Sequence, residues 1–242
     1  AIPWLDRVVV GTTDTPVETA ELEPVPFEDE VAFLVEHAGR YLSKDPTRDD
    51  VLSVFAGIRP LVGSEDEADT ASLSRDHTLL ISESGLVTIA GGKWTTYRKM
   101  AEDTVDQAAI LADLEDRPCV TPDLPIHGHH AHADRFGELA GYGSDAPRLR
   151  ELFKEEPSFV EPLHEAFPTR AGGAVWAARH EMARTVEDFL SRRTRALILD
   201  ARAAIEIAPR VAELMAAELG HDAGWAADQV EAFTELAEGY LP

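Results

Sequence analysis

The sequence holds a single cysteine, Cys119, so no disulfide can form within the chain, and a reducing compartment such as the cytoplasm is the expected setting. Cys119 stands between Pro118 and Pro122, in a stretch that reads as a linker, which argues against a catalytic thiol. Lysine is scarce. Only Lys44, Lys93, Lys99 and Lys154 occur among 22 basic residues, against 45 acidic ones, for a net charge of −23. That balance excludes direct nucleic-acid binding, which needs a basic footprint, and broad adhesion to anionic lipid. It fits a salt-rich cytoplasm, and the preference for arginine over lysine fits a GC-rich genome equally well. No apolar run approaches the roughly 20 residues of a membrane span. No secretory signal, internal repeat, low-complexity tract or G-x-G-x-x-G fingerprint occurs, and Ala1–Asp6 reads as a chain entered midway.

What is present is enough apolar residue, 44% of 242, for one large domain or two small ones. The first half mixes periods. Val8–Val10 is a short β-branched run ending in Gly11-Thr12-Thr13-Asp14. Glu28–Leu42 carries Val31, Leu34, Val35 and Ala38 at helical spacing, and Val51–Val62 is a strand candidate. Thr78–Ile81 and Leu86–Ala90 flank the turn Ser82-Glu83-Ser84-Gly85, which predicts a hairpin. Gly91-Gly92-Lys93 then opens a long helix whose inner face would be Tyr97, Met100, Ala101, Thr104, Val105 and Ala108.

Three prolines between Arg117 and Pro125 mark a boundary, and beyond them the patterns are helical. Phe136–Gly141 and Ala146–Phe153 are short helices. Val175, Ala178, Met182, Val186, Phe189 and Leu190 form one apolar face; Leu197, Ala201, Ala204, Ile205 and Ala208 form another. Pro209 suits the first turn of a further helix ending at a Gly220 cap, and Asp222 suits the N-cap of the last one. Trp176, Phe189, Trp225 and Phe233 are expected in the core. The predicted class is α+β, with residues 1–120 mixing strands and helices and residues 121–242 all helical.

The stretch richest in chemistry is Leu86–Met100, LVTIAGGKWTTYRKM. An apolar strand meets two glycines and then a helix. Glycines let the backbone approach a ligand, and a helix N-terminus offers unpaired N–H groups and partial positive charge to a phosphate or a flavin carbonyl edge. Lys93 adds a full charge; a plain tight βα turn is the competing reading. Arg59, in FAGIRPL, can clamp an anion bidentately or serve a surface ion pair. Arg75, in Ser74-Arg75-Asp76, reads as a local salt bridge, and Asp14 as a turn cap. His127, His129, His130 and His132 have spacings that could ligate zinc, but no accompanying carboxylate pattern, so a solvated or capping role is expected. Arg192, Arg193 and Arg195 form either an anion patch or helix salt bridges with Glu181, Glu187 and Asp188.

Taken in order, GTTD, AGIRPL, SRDHT and GGKWTTYRKMAE resemble the flavin-dependent glycerol-3-phosphate dehydrogenases, and HEMARTVEDFLSRRTRALILDARAA resembles that family's helical C-terminal domain. The resemblance covers nearly the whole chain and begins inside the family's sequence, past its dinucleotide fingerprint. It implies the C-terminal portion of a two-part FAD protein: residues 1–120 from the flavin and substrate domain, 121–242 from the helical cap. By resemblance Arg59 and Lys93 are catalytic, Arg75 and Asp14 bind substrate, and Gly92, Trp94 and Thr95 contact FAD; at Trp94 the family often has a smaller aliphatic residue. The implied parent oxidises glycerol 3-phosphate and passes electrons to quinone or another acceptor such as oxygen. A homodimer and peripheral attachment at the inner face of the cell membrane are compatible with it. The isolated portion is expected to be inactive. The alternatives are another FAD-linked amine or hydroxy-acid oxidoreductase, and a non-catalytic helical interaction module.

Overall fold

The computed structural model describes residues 1–59 and 76–242. They form two compact units: Ala1–Gly57 with Gly128–Pro242, and Ile58–His127. The proline-rich stretch lies close to the second break, and the first follows Gly57, which interrupts the Val51–Val62 strand candidate. Residues 1–57 group with residues 128–242 by their contacts.

The larger unit opens with an antiparallel hairpin, β1 (Ile2–Trp4) and β2 (Arg7–Val9), in place of a single strand at Val8–Val10. Leu5 and Asp6 both take left-handed φ values, 47° and 62°, at the two-residue turn. Neither residue is the Asn or Gly that advertises such a turn. Trp4 packs on the main core, and Arg7 donates Nη2–H to the Ala166 carbonyl at 3.2 Å. Helix α1 (Glu28–Gly39) starts with three acids, as its dipole favours, and Glu30 accepts from the Phe27 amide at 3.0 Å. The Thr15 hydroxyl bonded to Glu30 holds that carboxyl below its usual range.

Residues 51–59 are not a strand. Their hydrogen bonds go to helix ends and the chain's last turn instead of a ladder: Ser53 Oγ donates to Leu197 O at 2.8 Å and accepts from Ala201 N at 2.8 Å, and Val54 N donates to Tyr240 O at 2.9 Å. Residues 60–62 of that strand candidate lie outside the described residues.

The core belongs to the helices α3 (Ala146–Leu152), α4 (Gly172–His180), α5 (Ala196–Leu199), α6 (Ala201–Leu219) and α7 (Ala223–Glu238). Alanines 201, 203, 204, 208, 212 and 216 line the buried face of α6, and their small side chains let neighbouring helices approach closely. Phe189, Phe233, Leu149, Leu190 and Met215 fill the space between. Each such side chain contributes roughly 1.5–3 kcal/mol by leaving water. Trp176 is buried and Trp225 partly so.

The local signals at the helix ends hold. Asp200 and Asp222 cap α6 and α7 by accepting from Ala203 N at 3.1 Å and Trp225 N at 2.9 Å, and Gly220 ends α6 at φ 75°. Two readings change. Pro209 does not start a helix; it lies within α6, on its exposed face, where water can reach the carbonyl it leaves unpaired. Burial on both sides of it keeps the helix continuous. Met182 leaves the apolar face it was read into: it is 77% exposed with φ 57°, in the break between α4 and a π-helical turn at Asp188–Arg193.

In that break, Glu181 accepts from Trp176 Nε1 at 3.1 Å, and burial pushes its carboxyl above the usual range despite this bond and nearby Arg193. A raised folded value favours the protonated form, so Glu181 supports the fold at low pH and loses that contribution as the pH rises through the raised value. Glu181→Gln keeps the acceptor without the charge. Its melting temperature at pH 8 should exceed the parent's by about 2 °C, and a pH series of melts should show the gap closing on acidification.

The smaller unit is an antiparallel hairpin, β3 (His77–Ile81) and β4 (Val87–Gly91), followed by α2 (Tyr97–Leu111). The hairpin and its turn are as predicted, with Gly85 at φ 84°. The inner face of α2 is rotated from the predicted one. Met100 and Thr104 are half-buried, but Tyr97 and Val105 are exposed, with Ala101 and Ala108. Two strands cover only a strip of the helix, and a polar contact to β3 selects the strip carrying Met100, Asp103 and Gln107. No described residue of this unit is fully buried.

Candidate functional site

The junction between β4 and α2 is the best-built polar feature of the smaller unit. β4 delivers Gly91 and Gly92, at φ 73° and 75°, a region that costs other residues about 1 kcal/mol or more. At Gly92 the positive φ asks for glycine, and the space beside it is tight as well. A Cβ there would stand 2.5 Å from Met100 Sδ and 3.3 Å from His77 Cβ. Lys93 follows in an extended conformation, and Trp94–Thr96 makes one 3-10 turn before α2. Thr96 Oγ1 accepts from Lys93 N at 3.1 Å, and Thr96 N donates to Lys93 O at 2.9 Å, which fixes the entry angle. Lys93 and Thr95 are exposed, and Trp94 is 86% exposed and stacks on Tyr97 at 5.4 Å between ring centroids. A helix N-terminus, a cation and an aromatic plane thus meet at one turn, a combination suited to an anionic or electron-rich planar ligand.

The sequence candidates fall in both units. Gly92, Lys93, Trp94 and Thr95 are contiguous at the turn. Arg59 is exposed at the start of the same unit, and Asp14 is exposed in the larger unit, between β2 and α1. Arg75 lies outside the described residues.

Two residues were missed. His77 begins β3 opposite Gly91, and its Nε2 lies 2.9 Å from Asp103 Oδ2 on α2. Asp103 also meets Lys99 at 2.8 Å, and Lys99 reaches Glu102, which pairs with Arg98. Lys99 holds the Asp103 carboxyl below its usual range, with a smaller contribution from His77. SRDHT drew attention to its arginine and aspartate; the signal for His77 was its position at the first residue of the strand facing the glycines.

The other candidates are satisfied locally. His129, His130 and His132 are exposed; His130 packs on Phe136 and accepts from His132 N at 3.1 Å. Among the described residues, no group of His, Cys, Asp and Glu is arranged to hold a metal. Arg192 pairs with Glu187 and Asp188, and Arg193 donates to the Glu181 carbonyl. Cys119 is exposed, 3.0 Å from Thr121 Oγ1. No helix among the described residues is long and apolar enough to cross a membrane.

Residues 82–226 match the family model of the C-terminal domain of alpha-glycerophosphate oxidase. The mitochondrial glycerol-3-phosphate dehydrogenase of Mesocricetus auratus is 37% identical over 262 residues, covering 99% of this chain and 35% of that protein. The corresponding protein of Homo sapiens is 38% identical over 243 residues, covering 91% and 33%. The X-ray structure of a glycerol-3-phosphate dehydrogenase from Bacillus halodurans, complexed with FAD, aligns with a TM-score of 0.72 at 26% identity, covering 96% of this chain and 49% of that one. The chain spans about a third of the length of the curated relatives it matches.

Proposed function

Because this chain belongs to the family of the C-terminal domain of alpha-glycerophosphate oxidase, we propose that it is the C-terminal portion of an FAD-dependent glycerol-3-phosphate dehydrogenase. The reaction is oxidation of sn-glycerol 3-phosphate to dihydroxyacetone phosphate, with electrons passed on to quinone or another acceptor. FAD, when bound, would supply the two-electron redox chemistry that this oxidation needs. The observation that carries this reading is the strand–Gly91–Gly92–Lys93–helix junction, built with its cation and aromatic ring exposed, inside the matched residues.

The residues divide the work by chemistry. Gly92 lets the backbone come close to the flavin, and Trp94 and Thr95 offer a plane and a hydroxyl beside it. Lys93 opposes the phosphate or the charge that develops on the substrate, and Arg59 and Arg75 add positive charge to a dianionic ester. Asp14 belongs to the same substrate set. The sequence carries no dinucleotide fingerprint, so the 242-residue chain by itself should be inactive. A cytoplasmic enzyme attached peripherally at the inner face of the membrane, acting as a homodimer, completes the reading. With a net charge of −23, attachment would not come from broad electrostatic adhesion to anionic lipid.

The test is made in the full-length enzyme that contains these residues. Arg59→Ala and Lys93→Ala should each lower kcat/KM for glycerol 3-phosphate about tenfold, a loss of about 1.4 kcal/mol in transition-state stabilisation. Arg192→Ala removes an ion pair from the larger unit and should leave kcat/KM within about twofold, a difference of about 0.4 kcal/mol. Silent Arg59 and Lys93 variants beside a crippled Arg192 variant would put the active site in the wrong unit.

A further inference from the structure

We propose that His77 is a positioning residue for the Gly91–Gly92–Lys93 turn, acting through Asp103. The proposal rests on that turn being the ligand-facing element, as argued above, but its structural core is independent of the ligand's identity. His77 touches the turn from two directions. Its backbone pairs with Gly91 in the β3–β4 ladder, and its Cβ lies where a Cβ on Gly92 would come within 3.3 Å. Its imidazole then crosses to α2 and meets Asp103 at 2.9 Å.

These links close a ring. From His77 the path runs across the ladder to Gly91, through Gly92 and Lys93 into the 3-10 turn, along α2 to Asp103, and back through the imidazole. Met100, on the same strip of α2, packs under Gly92 inside that ring. Two glycines in succession have more backbone freedom than any other pair, so a turn built from them holds one geometry only if its two flanks are tied together. Among the described residues no side chain between hairpin and helix is fully buried, so the polar link adds a directional tie to the packing of Met100.

The chemistry of the link is directional. Asp103 faces Lys99 with Oδ1 and His77 with Oδ2, and a carboxylate can only accept. His77 therefore donates from Nε2–H. Glutamine places an N–H donor at a comparable reach and can replace that function; alanine cannot.

The experiment measures amide hydrogen exchange in the 242-residue chain. His77→Ala should speed exchange of residues 91–96 at least tenfold and leave residues 172–219 unchanged. His77→Gln should restore most of the protection. If His77→Ala loosens the whole hairpin and helix, the Gln variant decides: restored protection at 91–96 supports a hydrogen-bonded tie, and equal loosening overturns it. Unchanged exchange at 91–96 in the Ala variant also overturns it. In the full-length enzyme, the Ala variant should lower kcat/KM for glycerol 3-phosphate and shift the bound flavin's absorbance, with Gln rescuing both. Exchange effects without these changes would retain the tie and reject the turn as the ligand site; a kinetic defect that Gln fails to rescue would reject the tie.

Discussion

Replacing Asp188 by alanine should destabilise the larger unit by about 3 kcal/mol, lowering its melting temperature by roughly 6–12 °C. Asp188 is a hub. Oδ2 accepts from the amides of Arg184 at 2.9 Å and Thr185 at 3.1 Å, and the Asp188 amide donates to Thr185 Oγ1 at 3.0 Å, closing a reciprocal cap on the break after α4. Oδ1 meets Arg192 at 3.2 Å and Arg193 at 3.5 Å. Burial raises the carboxyl's pKa, but the amides of Arg184 and Thr185 outweigh it and hold the group below its usual range. A lowered folded value means that its contribution is present above the ordinary carboxylate range and lost as the pH falls through the lowered one. Alanine strands two amides and takes one carboxylate partner from each of two guanidinium groups, which keep Glu187 and the Glu181 carbonyl. Arg192→Ala removes only one half-exposed partner and should cost under about 1 kcal/mol. Thermal melts of the two variants would separate a hub from a surface pair, and equal effects would reject the hub.

Gly143→Ala should be at least as damaging, by about 3 kcal/mol or more. Gly143 sits at φ 50° and ψ −123°, a region that side-chain-bearing residues avoid. A Cβ there would be placed 1.7 Å from the Gly128 carbonyl oxygen, which accepts from Ser144 N at 3.1 Å. Backbone cannot swing aside as a side chain can, so the turn must open and that hydrogen bond break. Gly220→Ala is the control. It has a similar φ but open space around it, and it should cost only about 1 kcal/mol. Denaturant melts giving the same loss at both positions would mean that strain, not the clash, sets the cost.

Features decided by neighbours in sequence were legible. The Ser82–Gly85 hairpin turn, the Asp222 cap and the Gly220 stop each follow from one or two residues and a local hydrogen bond. The pairing of Arg192 with Glu187 and Asp188 was legible for the same reason. Features decided across the chain were not. Val51–Val54 has the composition of a strand, yet its polar groups are taken by α5, α6 and Tyr240. Pro209 looked like a helix start until burial on both sides of it made α6 continuous. At the candidate site, the Gly–Gly–Lys junction could be read from the residues themselves. The link from His77 to Asp103 could not, because it depends on which strip of α2 rests on the hairpin.

The interrupted larger unit also has a consequence for how the protein is made. Residues 1–57 leave the ribosome before the groups they bind, at Ala166, Leu197 and Tyr240. At bacterial-type elongation rates the wait is roughly 10–40 s. Through that time Trp4 has no core to pack on, while the hairpin and α2 need only local contacts to form. Nascent chains stalled after α2 should therefore be sticky over residues 1–57, and a holdase that shields that stretch would raise the yield.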